Sequence, residues 1–192
     1  MMGGMARDAE ATKKRILDAA TTEFSKFGIA GARVDRIATV AQANKSLIYA
    51  YYGNKDGLFD SVFSSQVVAF TDSVQFDAAD LAGYVGRAFD LNEDNPSTLR
   101  LATWYQLERL DGEPLQSIAA SNQSKLEKIT QAQQEGHLPT QYTAHEILTI
   151  VRALAMSWHI QTPELGAVAP RDRARRRQVV VSAVENLLSA CE

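Results

Sequence analysis

The chain has 192 residues, 45% of them apolar, and a formal net charge of −3. That length suits one large domain or a small one joined to a larger, with enough apolar side chain for a buried core. A lone cysteine, Cys191, cannot form an internal disulfide, and no apolar run approaches the roughly 20 residues of a membrane helix, so a protein of the reducing cytoplasm with no membrane partner is expected.

Charge is unevenly spread. Residues 6–60 carry nine Lys or Arg against seven Asp or Glu; residues 61–170 carry six against thirteen, and 171–192 five against three. A slightly basic N-terminal module on an acidic body suits a protein that meets phosphate with one end. Met1 to Met5 lacks the apolar stretch of a secretion signal and reads as a floppy arm.

Apolar residues recur mostly at helical spacing. The first helix, about 9–27, sets Ile16, Leu17, Ala20, Phe24 and Phe27 on one stripe, and Gly28 ends it. Two short helices follow, 35–41 and 45–52, around a break at Gln42, Ala43 and Asn44. After a turn at Gly53-Asn54, a long helix opens at Lys55 and carries Leu58, Phe59, Val62, Phe63, Val67 and Phe70. Further helices are expected at about 78–91, 97–110, 113–135, 143–159 and 171–190, with residues 163–170 as a reversing loop. The fold expected is all-α with about nine helices: a helix-turn-helix domain over 9–54 and a helical effector-binding and dimerisation domain over 55–192.

Two short helices around a three-residue turn, braced by an earlier helix, make the layout of a DNA-reading helix-turn-helix. The first needs an apolar inner face, supplied by Val34, Ile37, Ala38 and Ala41. The second needs small or polar groups toward the groove, supplied by Asn44, Lys45, Ser46 and Ala50, and core anchors, supplied by Leu47 and Ile48. Hydroxyls on Tyr49, Tyr51 and Tyr52 can reach phosphates while their rings pack; the lesser alternative is that Tyr49 is plain core.

The series Thr12-Lys-Lys-Arg-Ile-Leu-Asp-Ala-Ala20, Phe24, Gly28, Ile37-Ala38, Ala41, Lys45, Tyr49, Tyr52, Lys55 and Leu58-Phe59 resembles the DNA-binding signature of the tetracycline-repressor (TetR) family. The resemblance implies a homodimeric repressor on a palindromic operator in double-stranded DNA, released by a small apolar or amphipathic effector. It also implies DNA contacts by Arg33, Asn44, Lys45, Ser46, Tyr49, Tyr51 and Lys55. Arg33 stands where many members carry threonine, and so caps the next helix less well. Gln42 stands where glycine is frequent; in a left-handed backbone it would cost on the order of 1 kcal/mol. An effector would shift the helix that starts at Lys55 and re-space two recognition helices that need about 34–36 Å between them.

In the body, Phe63, Phe70, Tyr84, Phe89, Trp104 and Tyr105 either fill an ordinary core or line an apolar effector pocket, with Gln106 or Asn122 to orient a guest. Ile147, Val151, Leu154 and Trp158 recur at helical intervals, as do Val180, Val184, Leu187, Leu188 and Cys191; two copies of each helix would give a four-helix dimer interface. The arginines at 171, 173, 175, 176 and 177 read as a solvated or interface-paired face. His137, His145 and His159 lack metal-ligand spacing, so neither a metal nor a cofactor is expected. No nucleophile motif or phosphate loop points to an enzyme. The competing reading is a helical ligand-binding or scaffolding protein whose helix-turn-helix does not read DNA.

Overall fold

The computed structural model describes residues 2–109 and 113–189 and, outside 2–7, 71 and 72, their side chains. The chain is all-α: ten α-helices and one 3-10 turn, with no strand among the described residues. It divides into two compact units, Met1–Val68 with Pro96–Leu115 and Ala69–Asn95 with Gln116–Glu192.

The first unit holds α1 (Met2–Gly31), α2 (Val34–Ala41), α3 (Lys45–Tyr52), the first part of α4 (Lys55–Ser73), and α6 (Pro96–Glu108). Helix α1 begins at Met2 and so includes the stretch expected as a floppy arm. Gly28 breaks it, at φ 70° and ψ −176°, with one more turn to Gly31. Ile16, Ala20, Phe24, Ile37, Ile48, Leu58, Phe59 and Val62 are all buried and form the core of the unit. Phe27 does not join that stripe. It is exposed, and the Arg36 guanidinium lies 4.3 Å over its ring, so a cation–π contact covers it.

The second unit contains the 3-10 turn Ala78–Asp80, α5 (Leu81–Asp94), α7 (Gln116–Gln134), α8 (Ala144–Met156), α9 (Pro163–Ala167) and α10 (Arg173–Leu188). Its core joins Leu81, Tyr84, Val85 and Ala88 of α5 to Ile129 and Ala132 of α7, Ile147, Leu148, Val151 and Ala155 of α8, and Val184 of α10. Helix α8 starts with a full capping box: Thr143 and Glu146 satisfy each other's backbone amides. The loop expected at 163–170 contains α9. Thr162 Oγ1 accepts from the Leu165 amide and Pro163 opens the helix, a start that propensity alone favours.

The dimer expectation needs correction at four positions. Ile147, Val151, Val180 and Val184 are 0, 0, 1 and 0% exposed within a single chain, so they fill the protomer's own core and have no surface for a partner. Leu154 and Leu188 pack against that core, and Trp158 and Leu187 are half-buried. Leu110, Asp111, Gly112, Ala190 and Cys191 lie outside the described residues.

Three of the five clustered arginines are paired within the protomer. Arg173 meets Asp94 at 2.7 Å and Asp90 at 3.3 Å, Arg176 meets Glu93 at 2.8 Å, and Arg177 meets Asp90 at 2.7 Å, tying α10 to α5. Gly86 lets the helices approach: a Cβ there would stand 2.6 Å from the Arg177 guanidinium. No described helix is long and apolar enough to cross a membrane.

Candidate nucleic-acid interface

Helix α2 buries Val34, Ile37, Ala38 and Ala41 and leaves Asp35, Thr39 and Val40 in solvent. It ends at Gln42, whose backbone is left-handed at φ 51° and ψ 44°. The Gln42 and Ala43 amides close onto the Thr39 and Ala38 carbonyls at 3.2 and 3.0 Å, which satisfies the helix end and turns the chain. Arg15 of α1 donates from Nε to the Ala41 carbonyl at 3.2 Å, placing a cation at the negative end of α2.

Helix α3 starts under Asn44, whose Oδ1 accepts from the Leu47 amide at 2.6 Å. Ile48 is its buried anchor and Leu47 is half-buried. Lys45, Ser46, Tyr49 and Ala50 are exposed. Positions 45, 46, 49 and 50 form one stripe of a helix, so the structure gathers three of the seven expected contact residues on one open face.

The other four are placed differently. Asn44 uses its carboxamide oxygen as a cap. Tyr51 is half-buried, edge-on to Tyr52 at 6.2 Å, with Lys13 Nζ 5.4 Å over its ring. Arg33 is exposed and extended at φ −121°, and its side chain makes no capping bond to α2. Lys55 Nζ donates to the Ala30 carbonyl at 3.2 Å. Lys45 itself is paired with Asp35 at 2.9 Å, and this hydrogen-bonded carboxylate raises its ammonium above the usual lysine range.

Two acids that the sequence reading passed over hold this arrangement in place. Glu23, buried in α1, accepts from the Arg33 amide and from Arg36 Nε, both at 2.8 Å. Burial alone would raise its pKa, but Arg36 and the Arg33 amide together hold it below the ordinary carboxylate value. An acid beside Phe24 on the core stripe was a readable sign that a partner must exist. Glu108 of α6 accepts from the Ile29 and Ala30 amides at 3.2 and 2.8 Å. Gly28 makes room for it, since a Cβ there would stand 2.5 Å from the carboxylate and 2.9 Å from the Trp104 ring.

The six aromatics expected around a pocket are divided between the units. Phe63 and Tyr105 stack at 4.3 Å in the first unit, beside Phe59, and Trp104 lies over Gly28. Tyr84 packs edge-on to Phe76 at 4.9 Å in the second, Phe70 flanks the same core, and Phe89 faces His159 at 5.8 Å. A cleft of about 490 Å³ in the first unit is lined by polar groups including Lys13, Lys14, Thr21, Tyr52 and Ser65, and by none of the six.

Residues 16–62 match the family model for bacterial regulatory proteins of the tetR family, and residues 80–186 match that for the tetracyclin repressor-like C-terminal domain. The chain belongs to the TetR family. It is 40% identical over 162 residues to the HTH-type transcriptional repressor SCO4008 of Streptomyces coelicolor, covering 83% of this chain and 84% of that one. It is 32% identical over 119 residues to the HTH-type transcriptional regulator RutR of Escherichia coli, 59% of this chain and 55% of that protein. The crystal structure of SCO4942 from Streptomyces coelicolor superposes with a TM-score of 0.81 at 38% identity, over 92% of this chain and 97% of the other. This TetR-family chain is therefore a transcription regulator with a DNA-binding helix-turn-helix, not an enzyme, and α2 and α3 are that motif.

Proposed function

We propose that the protein is a homodimeric repressor that reads a palindromic operator with α3 and leaves it when a small amphipathic effector binds. The exposed stripe of Lys45, Ser46 and Tyr49, backed by buried Ile48, carries the reading. In this reading the stripe enters the major groove, and Lys45 exchanges Asp35 for a base edge or phosphate. Arg33, Tyr51 and Lys55 serve phosphates, and Lys55 gives up the Ala30 carbonyl to do so. Asn44 acts by fixing the start of α3, with its amide nitrogen turned to the DNA.

A second copy supplies the second half-site. Four of the expected interface residues are core, so the partner meets the outward side of the second unit, where Ile160, Leu165, Val168 and Val179 are exposed apolar side chains. The effector is held in the second unit near Tyr84 and Phe70. Phe63 and Tyr105 are already stacked on each other, so in this reading they are core of the first unit. Release requires that the effector bind one spacing of the recognition helices more tightly than the other.

The test is footprinting and fluorescence anisotropy on DNA upstream of the protein's own gene. A protected palindrome, with affinity falling by roughly one log unit per log unit of salt for each phosphate contact, supports the reading. Absence of any salt-dependent protected site would overturn it.

A further inference from the structure

In the second unit, Arg87, Arg173, Arg176 and Arg177 each have a carboxylate partner. Among the described residues Lys125 and Arg152 have none, nor do the exposed Lys128, Arg171 and Arg175. Lys125 Nζ donates to the Ser121 hydroxyl at 3.2 Å, one turn back in α7. Arg152 Nη1 reaches from α8 to the Asn122 carboxamide oxygen at 3.1 Å. Asn122 and Lys125 are three residues apart and hence neighbours on one face of α7, so the bond from Arg152 brings a second cation to the face that carries Lys125.

The surroundings disfavour leaving the Lys125 charge as it is. Lys125 is half-buried, and burial first, then the positive charges of Arg152 and Lys128, hold its ammonium below the usual lysine range. The nearest acid along α7, Glu127, is engaged by Gln123 at 2.9 Å. The positive charges of both Arg152 and Arg87 act on the hydroxyl of Tyr84, whose ring is buried against Phe76 and whose oxygen makes no hydrogen bond among the described residues. A half-buried ammonium and an exposed guanidinium of like sign, with no carboxylate between them, are a donor set that an oxyanion completes.

We propose that Lys125, Arg152 and Asn122, with the Tyr84 hydroxyl, form the polar end of the effector site, and that the effector is an organic oxyanion. The inference rests on the effector reading above and gives it a chemical class: a carboxylate or phosphate group on an apolar body. The guanidinium offers a planar fork to two oxygens and the ammonium a compact charge beside it. In this proposal the Tyr84–Phe76 pair of the same unit receives the apolar body.

Isothermal titration calorimetry of the full chain tests this with four ligands of one chain length: octanoate, octyl phosphate, octanamide and octylammonium. At least one of the two anions binds at least about tenfold more tightly than octanamide, and octylammonium binds most weakly. Lys125→Gln and Arg152→Gln each bring the anion down to the amide's affinity, leaving octanamide binding and the melting temperature in place. Tighter octanoate points to a carboxylate effector and tighter octyl phosphate to a phosphate. Anions that bind no better than octanamide, or variants that keep the preference, overturn the proposal. Anion binding that leaves operator DNA bound would keep the site and remove its effector role. Failure to bind any anion would remove the site and leave the DNA reading standing.

Discussion

The carboxylate of Glu108 and the amide of Ala30 are joined at 2.8 Å across 78 residues of sequence, while the carbonyl of the same Ala30 accepts from Lys55 at 3.2 Å. One residue of the α1–α2 junction is thus gripped by α6 on one side and by the start of α4 on the other. Glu108→Ala leaves two amides without their acceptor. The expected loss is about 2 kcal/mol in urea unfolding, in the range of hydrogen bonds to a charged group. Operator affinity should weaken as the junction loosens; an unchanged midpoint and affinity would show that the contact carries nothing.

Both departures from common family residues around α2 are correctable. Gln42→Gly removes the strain of a left-handed backbone at φ 51° and should stabilise by up to about 1 kcal/mol. Arg33→Thr supplies the missing side-chain cap of α2, at about 1 kcal/mol. Thermal unfolding of each variant measures this, and the Thr variant should gain stability while losing DNA affinity.

Replacing Lys55 by alanine should weaken binding to every DNA sequence alike and lower the salt slope by about one contact. The Ala30 carbonyl loses its donor in the same variant, so stability is measured alongside. A slope equal to the parent's would take Lys55 off the phosphate.

Acid should destabilise the chain in two windows. Burial, together with the nearby Arg176 charge and against the opposing pull of Glu93, holds the His159 imidazole below its ordinary 6.5. The unfolded chain therefore takes up this proton first, and stability that is full above about 6.5 declines as pH falls toward the folded value. His159→Gln should flatten the melting-temperature profile between about pH 7 and 5. Glu23 is depressed in the folded chain, so its contribution is present above its ordinary 4.5 and is lost at lower pH, as the carboxylate protonates.

Charge on the exposed apolar side of the second unit should prevent assembly. Val179→Glu, at a position 39% exposed in one chain, leaves the protomer core untouched. Sedimentation should show monomers with unchanged helicity and lost operator affinity; persistent dimers would move the interface elsewhere.

Local order was largely legible in the residues. The bounds of α3, the turn at Gln42 to Asn44 and the anchor Ile48 all follow from helical spacing and capping chemistry, which act over a few residues. The apolar pattern also marked α8 and α10 as helices, but it could not say which neighbour covers which face. Val151 and Val184 turn out to be covered by their own chain because α5 and α7 supply apolar surface that no periodicity in α8 or α10 reports. The partners of Glu23 and Glu108, and the acids that claim Arg173, Arg176 and Arg177, were likewise decided only on folding. An ion pair or a carboxylate–amide bond between residues some 80 positions apart leaves no trace in local composition, since its geometry exists only once the helices have packed.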